Sequence, residues 1–250
     1  GEREGDLARV LQRGAEHQRA LRHAMVVETL RVAGLPDAAD AVGETVAGPD
    51  LAYRQRISLH VDPEDGRTGF YRRRSHTLLT VDRCPVTRPA LEAELADTPV
   101  LGSLAPAESA DLALEEGENG IFAVLRLSHP LPAARLRAVV ALLEARFAGG
   151  SVRCPGRAPI VFGETQVLRT VDAVPTRCAP GGFAQANPAV NDLLIAHVRE
   201  AAAGARTACD LYAGAGNFAF PLAAAGIATV AVESDADLAA SGRAEAARRG

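Results

Sequence analysis

A glycine pair and a distant acid, near the C-terminal end of the sequence, have the types and spacing to hold a nucleotide-like ligand. Gly214 and Gly216 lie between an apolar run, 207–212, and a helix-like run, 217–225. Glycines there let the backbone approach a ligand closely, and the helix start that follows aims its amides at it. Glu233 stands seventeen residues after Gly216, where the next apolar run ends. A carboxylate in that place can accept hydrogen bonds from both hydroxyls of a ribose. Three readings compete. Gly214, Gly216 and Ala219 satisfy the dinucleotide pattern G-x-G-x-x-A. Asp210, four residues before Gly214, and Asn217-Phe218 just after the turn favour S-adenosylmethionine instead. That donor carries a sulfonium and an ammonium and no phosphate, so a nearby carboxylate attracts it. The third reading is a structural turn with no ligand.

Those residues need elements to position them. After "CAPGGFAQANPAVN" the pattern reads helix 188–202, strand 207–212, helix 217–225, strand 228–232 and helix 236–249. Strands alternating with helices mark a parallel sheet covered on both faces. Upstream, Ile57, Leu59 and Val61 alternate, Pro63-Glu64-Asp65-Gly66 is a turn signal, and a second strand-like run follows, which together predict a β-hairpin. Thr87 is a candidate cap for a short helix over TRPALEAEL. A second hairpin turns at 117–120, and LPAARLRAVVALLEARF is an amphipathic helix closed by Gly149-Gly150. Residues 9–32 read as a helix ended by Gly34, Leu35 and Pro36, with 37–50 as a linker. The expected organisation is a helical segment over 1–47, an α+β central domain with antiparallel strands over 48–170, and the start of an α/β, Rossmann-like domain over 171–250.

Composition narrows the class. Hydrophobic residues make up 48% of the 250 and charged residues 23%, a globular balance. No apolar run is long enough to span a bilayer and the N-terminus has no signal-peptide pattern, so a cytoplasmic protein is expected. All 27 basic residues are arginine and the net charge is -4, which does not suggest a generic nucleic-acid binder. Locally the balance reverses: eight arginines face four acids between Leu51 and Ala90. The four cysteines, Cys84, Cys154, Cys178 and Cys209, are scattered, which argues against both a disulfide framework and a metal site built from them alone. Cys209, in the apolar approach to the turn, is expected to be a buried small hydrophobe.

"FAQANPAVN", "CDLYAGAGNFAFPLA" and "VAVES" together resemble the RNA (uracil-5-)methyltransferases, which modify uridines of transfer and ribosomal RNA with S-adenosylmethionine. Those enzymes carry an F-x-Q-V-N segment, a D-L-[YF]-x-G-x-G-N-F turn and a V-x-G-V-E strand. "YRQRISLHV", "TGFYRRRSHTLLTVDRCPV" and "AEHQRALRHAMVVETLRVAGL" are similar to stretches found in the same order. The resemblance implies that 48–170 is an RNA-binding domain and 171–250 part of a SAM-dependent methyltransferase domain. Gln185, on the helix before the sheet, would contact the donor. Tyr212 would lie at the donor pocket, Gly214 and Gly216 would form its turn, Asn217 would bind the donor, and Glu233 would hold its ribose. Arg54, Arg56, Arg72, Arg73 and Arg74 would lie on strands facing a structured RNA, transfer or ribosomal, and grip its phosphates. A monomer away from membranes is the expected setting.

The departures are equally informative. Many of these enzymes bind an iron–sulfur cluster through four cysteines, of which only Cys84, in Cys84-Pro85-Val86, has a counterpart here, so no cluster is expected. The chemistry implied by the resemblance needs a cysteine that adds to C6 of the uracil and a carboxylate that later removes the C5 proton. Their segments, D-P-P-R-x-G and S-C-N-P, are not in the sequence. Both residues are expected beyond Gly250, in a longer chain of which this is the donor-binding part. A non-catalytic RNA-binding relation of the family is the alternative, and a dinucleotide enzyme a more distant one.

Overall fold

The computed structural model describes residues 14–62, 66–97 and 110–250. Two compact units are present, 1–50 and 51–250. In the first, α1 (Ala15–Val32) runs eighteen residues and α2 (Pro36–Asp40) follows it. The expected start of α1 at 9–13 lies outside the described residues. Part of the expected linker is thus helical: Pro36 fixes φ at the first turn of α2, and Arg31 reaches Asp40 at 3.3 Å.

The second unit is built on a seven-stranded sheet of order β3-β2-β1-β4-β5-β6-β7. Its strands are β1 (Arg56–Val61), β2 (Thr68–Tyr71), β3 (Leu78–Thr80), β4 (Ala110–Gly117), β5 (Gly120–Leu127), β6 (Gly149–Arg153) and β7 (Ile160–Gly163). All neighbours pair antiparallel except β5 and β6, which run parallel. A parallel pair needs a crossover, and α4 (Ala133–Arg146) supplies it. The amphipathic helix therefore ends at Arg146 rather than at the glycines: Gly149 and Gly150 open β6, where a Cβ on Gly150 would meet the Ala123 carbonyl oxygen at 1.8 Å.

The alternation in β1 buries Ile57, Leu59 and Val61 on one face. Helix α4 presents Leu136, Val139 and Leu143, and α3 (Pro89–Asp97) presents Leu91 and Leu95, each set at helical spacing, to the same core. Thr87 does not cap α3. It pairs with Arg54 in an isolated bridge, and Arg88 precedes the helix. Leu112, Ala113 and Leu114 are all buried, so the centre of the sheet is covered on both faces.

A short hairpin, β8 (Val167–Val171) with β9 (Val174–Cys178), follows, and the expected domain boundary at 170/171 falls inside β8. Then come α5 (Pro188–Ala201), β10 (Thr207–Leu211), α6 (Ala219–Ala224), β11 (Ala228–Val232) and α7 (Ala236–Arg249), with β10 and β11 parallel and paired from Thr207–Ala228 to Leu211–Val232. The α+β sheet followed by parallel strands alternating with helices is the architecture expected. Cys209 is exposed, together with Leu211, Val230 and Val232, because one face of this two-stranded sheet is uncovered. Helix α7 docks on β9 through polar groups: Ser241 Oγ accepts the Ala179 amide at 3.1 Å, and buried Glu245 accepts that of Arg177 at 3.3 Å.

Candidate functional site

The glycine turn joins β10 to α6. Tyr212 opens it in the left-handed region at φ +60°, unusual for a bulky residue, and Gly214 and Gly216 follow at +59° and +101°. At Gly216 a Cβ would lie 2.5 Å from the Phe220 ring, so both conformation and space demand glycine. Helix α6 has only six residues, so amides of the turn itself carry most of the hydrogen-bonding capacity.

Glu233 closes the turn from behind. Its carboxylate accepts the amides of Gly214 and Asp235, both at 2.8 Å. Donation from Asp235 first, then from Gly214, lowers its pKa below the ordinary carboxylate value. The Ser234 hydroxyl also donates to Oε1, at 3.3 Å, so of about four lone-pair sites the room left for a ligand is on Oε2, which accepts the Gly214 amide. Asp210 behaves oppositely: burial raises its pKa, against the pull of the Ala219 amide, and its Oδ2 has no hydrogen-bond partner. Asn217 forms a reciprocal pair with buried Asn191 of α5, both bonds at 2.9 Å, tying α6 to α5.

A cavity of about 360 Å³ opens beside the turn, large enough for a nucleoside-sized ligand. Gln185, Tyr212, Gly214 and Asn217 line it, while Gly216 and Glu233 do not. Tyr212 is 88% exposed and Phe183, which also lines the cavity, 74%, so neither serves the core. Gln185 lies in the loop before α5 rather than on the helix, because Asn187 caps α5 by accepting the Val190 amide and Pro188 begins it. The rest of the lining includes Gln55 just before β1, Arg88 just before α3, Glu116 of β4 and Arg169 of β8.

A buried charge network that sequence reasoning missed runs through Arg169 of this lining. Glu115 of β4, 2% exposed, pairs with Arg169 of β8 and accepts the Gly181 amide at 3.1 Å. Arg56 donates to the carbonyls of Gly181 and Gly182. Burial lowers the pKa of Arg56 and Arg169, and raises the Cys178 thiol beside them. Cys178 is thus a poor nucleophile near neutral pH. Only Asn191 carried a signal, a polar residue among the apolar ones of α5, whereas Glu115 merely follows the apolar run 112–114 of β4.

The arginines expected on strands divide differently. Only Arg56 is on one, and its guanidinium is committed to the 181–182 loop. Arg54 lies at an isolated bridge, and Arg72, Arg73 and Arg74 form the exposed turn between β2 and β3, with Arg74 at φ +58°. What had read as one strand is two, broken at this turn. Cys84 packs against the hydrophobic core, and its amide donates to Glu92 at 3.0 Å.

A strand–glycine-turn–helix–strand unit, ending in a turn-bound acid and facing a cavity against a mixed sheet, defines a nucleotide-cofactor fold of the methyltransferase type. No protein-family model matches the chain. It is 35% identical over 194 residues to an uncharacterized RNA methyltransferase of Caulobacter vibrioides, covering 72% of this chain and 45% of that protein. It is 31% identical over 242 residues to the 23S rRNA (uracil(1939)-C(5))-methyltransferase RlmD of Pseudomonas savastanoi, covering 89% of this chain and 51% of that one. Among solved structures, the Pyrococcus abyssi tRNA (uracil-54, C5)-methyltransferase in complex with S-adenosyl-L-homocysteine shares the fold. The TM-score is 0.63 at 17% identity, over 80% of this chain and 54% of that one. The chain is thus similar to RNA (uracil-5-)methyltransferases, and it spans about half the length of the curated relatives it matches.

Proposed function

We propose that the chain binds S-adenosylmethionine and a uridine of RNA for methyl transfer to C5 of the base. The observation that carries this reading is the cavity itself: the glycine turn, Tyr212, Asn217 and Gln185, with the polar side chains of Gln55, Arg88, Glu116 and Arg169 in the rest of its lining. When bound, the donor would supply an electrophilic methyl group. Glu233 receives a ribose hydroxyl on Oε2, while the Gly214 and Asp235 amides hold it ionised and oriented. Gln185 and Asn217 offer side-chain amides to the donor, and Asn191 fixes the Asn217 plane. Asp210 beneath the turn favours a cationic ligand over a pyrophosphate. Arg72, Arg73 and Arg74 contact phosphates, in transfer or ribosomal RNA, in a monomeric and cytoplasmic setting.

Calorimetry with S-adenosylhomocysteine and with NAD tests the reading. S-Adenosylhomocysteine is expected to bind and NAD to bind more weakly; the reverse order would restore the dinucleotide reading suggested by Gly214, Gly216 and Ala219.

A further inference from the structure

We infer that the uncovered β1–β2 margin of the central sheet carries a nucleobase-stacking platform, formed by His60, Tyr71 and His76, that holds single-stranded RNA flanking the target uridine. This rests on the RNA-methyltransferase reading above. The alternation that sends Ile57, Leu59 and Val61 inward places His60 on the opposite face of β1. There the His60 and Tyr71 rings stack, centroids 3.8 Å apart and planes 11° from parallel, and His76 meets Tyr71 edge-on at 5.4 Å. The strand register makes this possible. His60 lies opposite Gly69, which has no side chain, so Tyr71, its diagonal neighbour, can lean across. Asp111 pins the His60 ring with a 2.6 Å contact between Oδ1 and Nδ1.

These rings are ordered without serving the core. Tyr71 is 36% exposed, as is the His60 side chain, and His76 is exposed, which leaves π-surface for a further ring. The adjoining turn presents Arg72, Arg73 and Arg74, exposed and without an ion-pair partner among the described residues. Aromatic faces beside unpaired guanidiniums match single-stranded RNA, whose unstacked bases seek rings and whose phosphates seek arginine. A bare polyanion would use the arginines but leave the rings idle. His60 lies four positions from Arg56 along β1, about 13 Å, and Arg56 holds the loop that leads to Phe183 and Gln185. A strand of RNA reaching the cavity can therefore cross the platform.

The test is fluorescence anisotropy of the full chain with a labelled oligouridylate over a range of salt, with S-adenosylhomocysteine binding measured in parallel by calorimetry. Tyr71→Ala and His76→Ala are each expected to weaken oligouridylate binding roughly ten-fold or more, with the salt dependence unchanged, and Tyr71→Phe to retain it. Arg73→Ala is expected to lower the salt slope by about one. S-Adenosylhomocysteine affinity stays constant across the set. The platform is overturned if both alanine variants bind as the parent does, if heparin competes as well as single-stranded RNA does, or if the parent does not bind oligouridylate. Loss of S-adenosylhomocysteine binding by the parent chain, with RNA binding intact, would instead overturn the methyl-donor reading and leave the platform standing.

Discussion

Two carboxylates in opposite environments decide how the turn responds to pH and to substitution. Glu233 is held ionised by backbone amides, so its folded pKa lies below the unfolded one. Its contribution to stability is present above the ordinary carboxylate pKa and is lost only as pH falls through the lowered value. Glu233→Gln removes that acid-sensitive component and, in the proposed role, weakens S-adenosylhomocysteine by about ten-fold, with the fold intact by circular dichroism. Asp210 has the opposite sign. Burial raises its pKa, so its contribution is favourable below the unfolded pKa and is lost as pH rises. Asp210→Asn keeps an acceptor for the Ala219 amide and removes a costly charge. It is expected to raise the melting temperature at neutral pH while weakening the cationic donor, and a melt paired with calorimetry reads both. Legibility differed just as sharply between residues. Gly214, Gly216 and Glu233 were visible because their spacing is local and their conformational demands are specific. Glu115, Arg169 and Asn191 were not, because their partners lie far away along the chain and a single sequence gives no pairing.

Among the elements, β10 and β11 were located to within a residue because their apolar runs are short and bounded by turns. The β2–β3 region was read as one strand because nothing in Arg72-Arg73-Arg74 marks a break; Arg74 adopts the left-handed backbone without being glycine. The β5–β6 pairing was also hidden, since strand polarity is set by the α4 crossover rather than by residue type. The structure adds a dependence between elements: β4, β8 and the 181–182 loop share the Glu115–Arg169–Arg56 network. Arg169→Met would leave Glu115 buried and unpaired, a loss of about 3–5 kcal/mol in urea denaturation. Replacing Glu115 as well by an apolar residue should recover much of that stability, since the cost arises from the orphaned charge. Gly216→Ala tests the turn separately. Strain at φ +101° and the Phe220 contact should cost roughly 1–3 kcal/mol, accompanied by lost donor binding.

At the scale of the whole second unit, stability should be uneven even though its parts pack together. The central sheet buries side chains on both faces at its middle, with Leu112, Leu114, Phe122 and Val152 almost wholly enclosed. The β10–β11 sheet has only two strands and exposes Leu211, Val230 and Val232 on one face. Two strands without a covered second face are marginal by themselves, so their protection must come from α5, α6 and α7 and from the polar docking of α7 on β9. Local opening of this region should therefore cost less than global unfolding. Native-state hydrogen exchange is expected to show the amides of β10 and β11 exchanging well before those of β4 and β5. Adding S-adenosylhomocysteine should narrow that gap, because a ligand that binds only the closed turn stabilises it by mass action. Equal protection of the two sheets in the free chain would mean that the docking of α7, through Ser241 and Glu245, already holds the β10–β11 sheet as firmly as the hydrophobic core holds the central one. In that case Glu245→Gln, which weakens the docking without touching the cavity, should separate the two exchange rates.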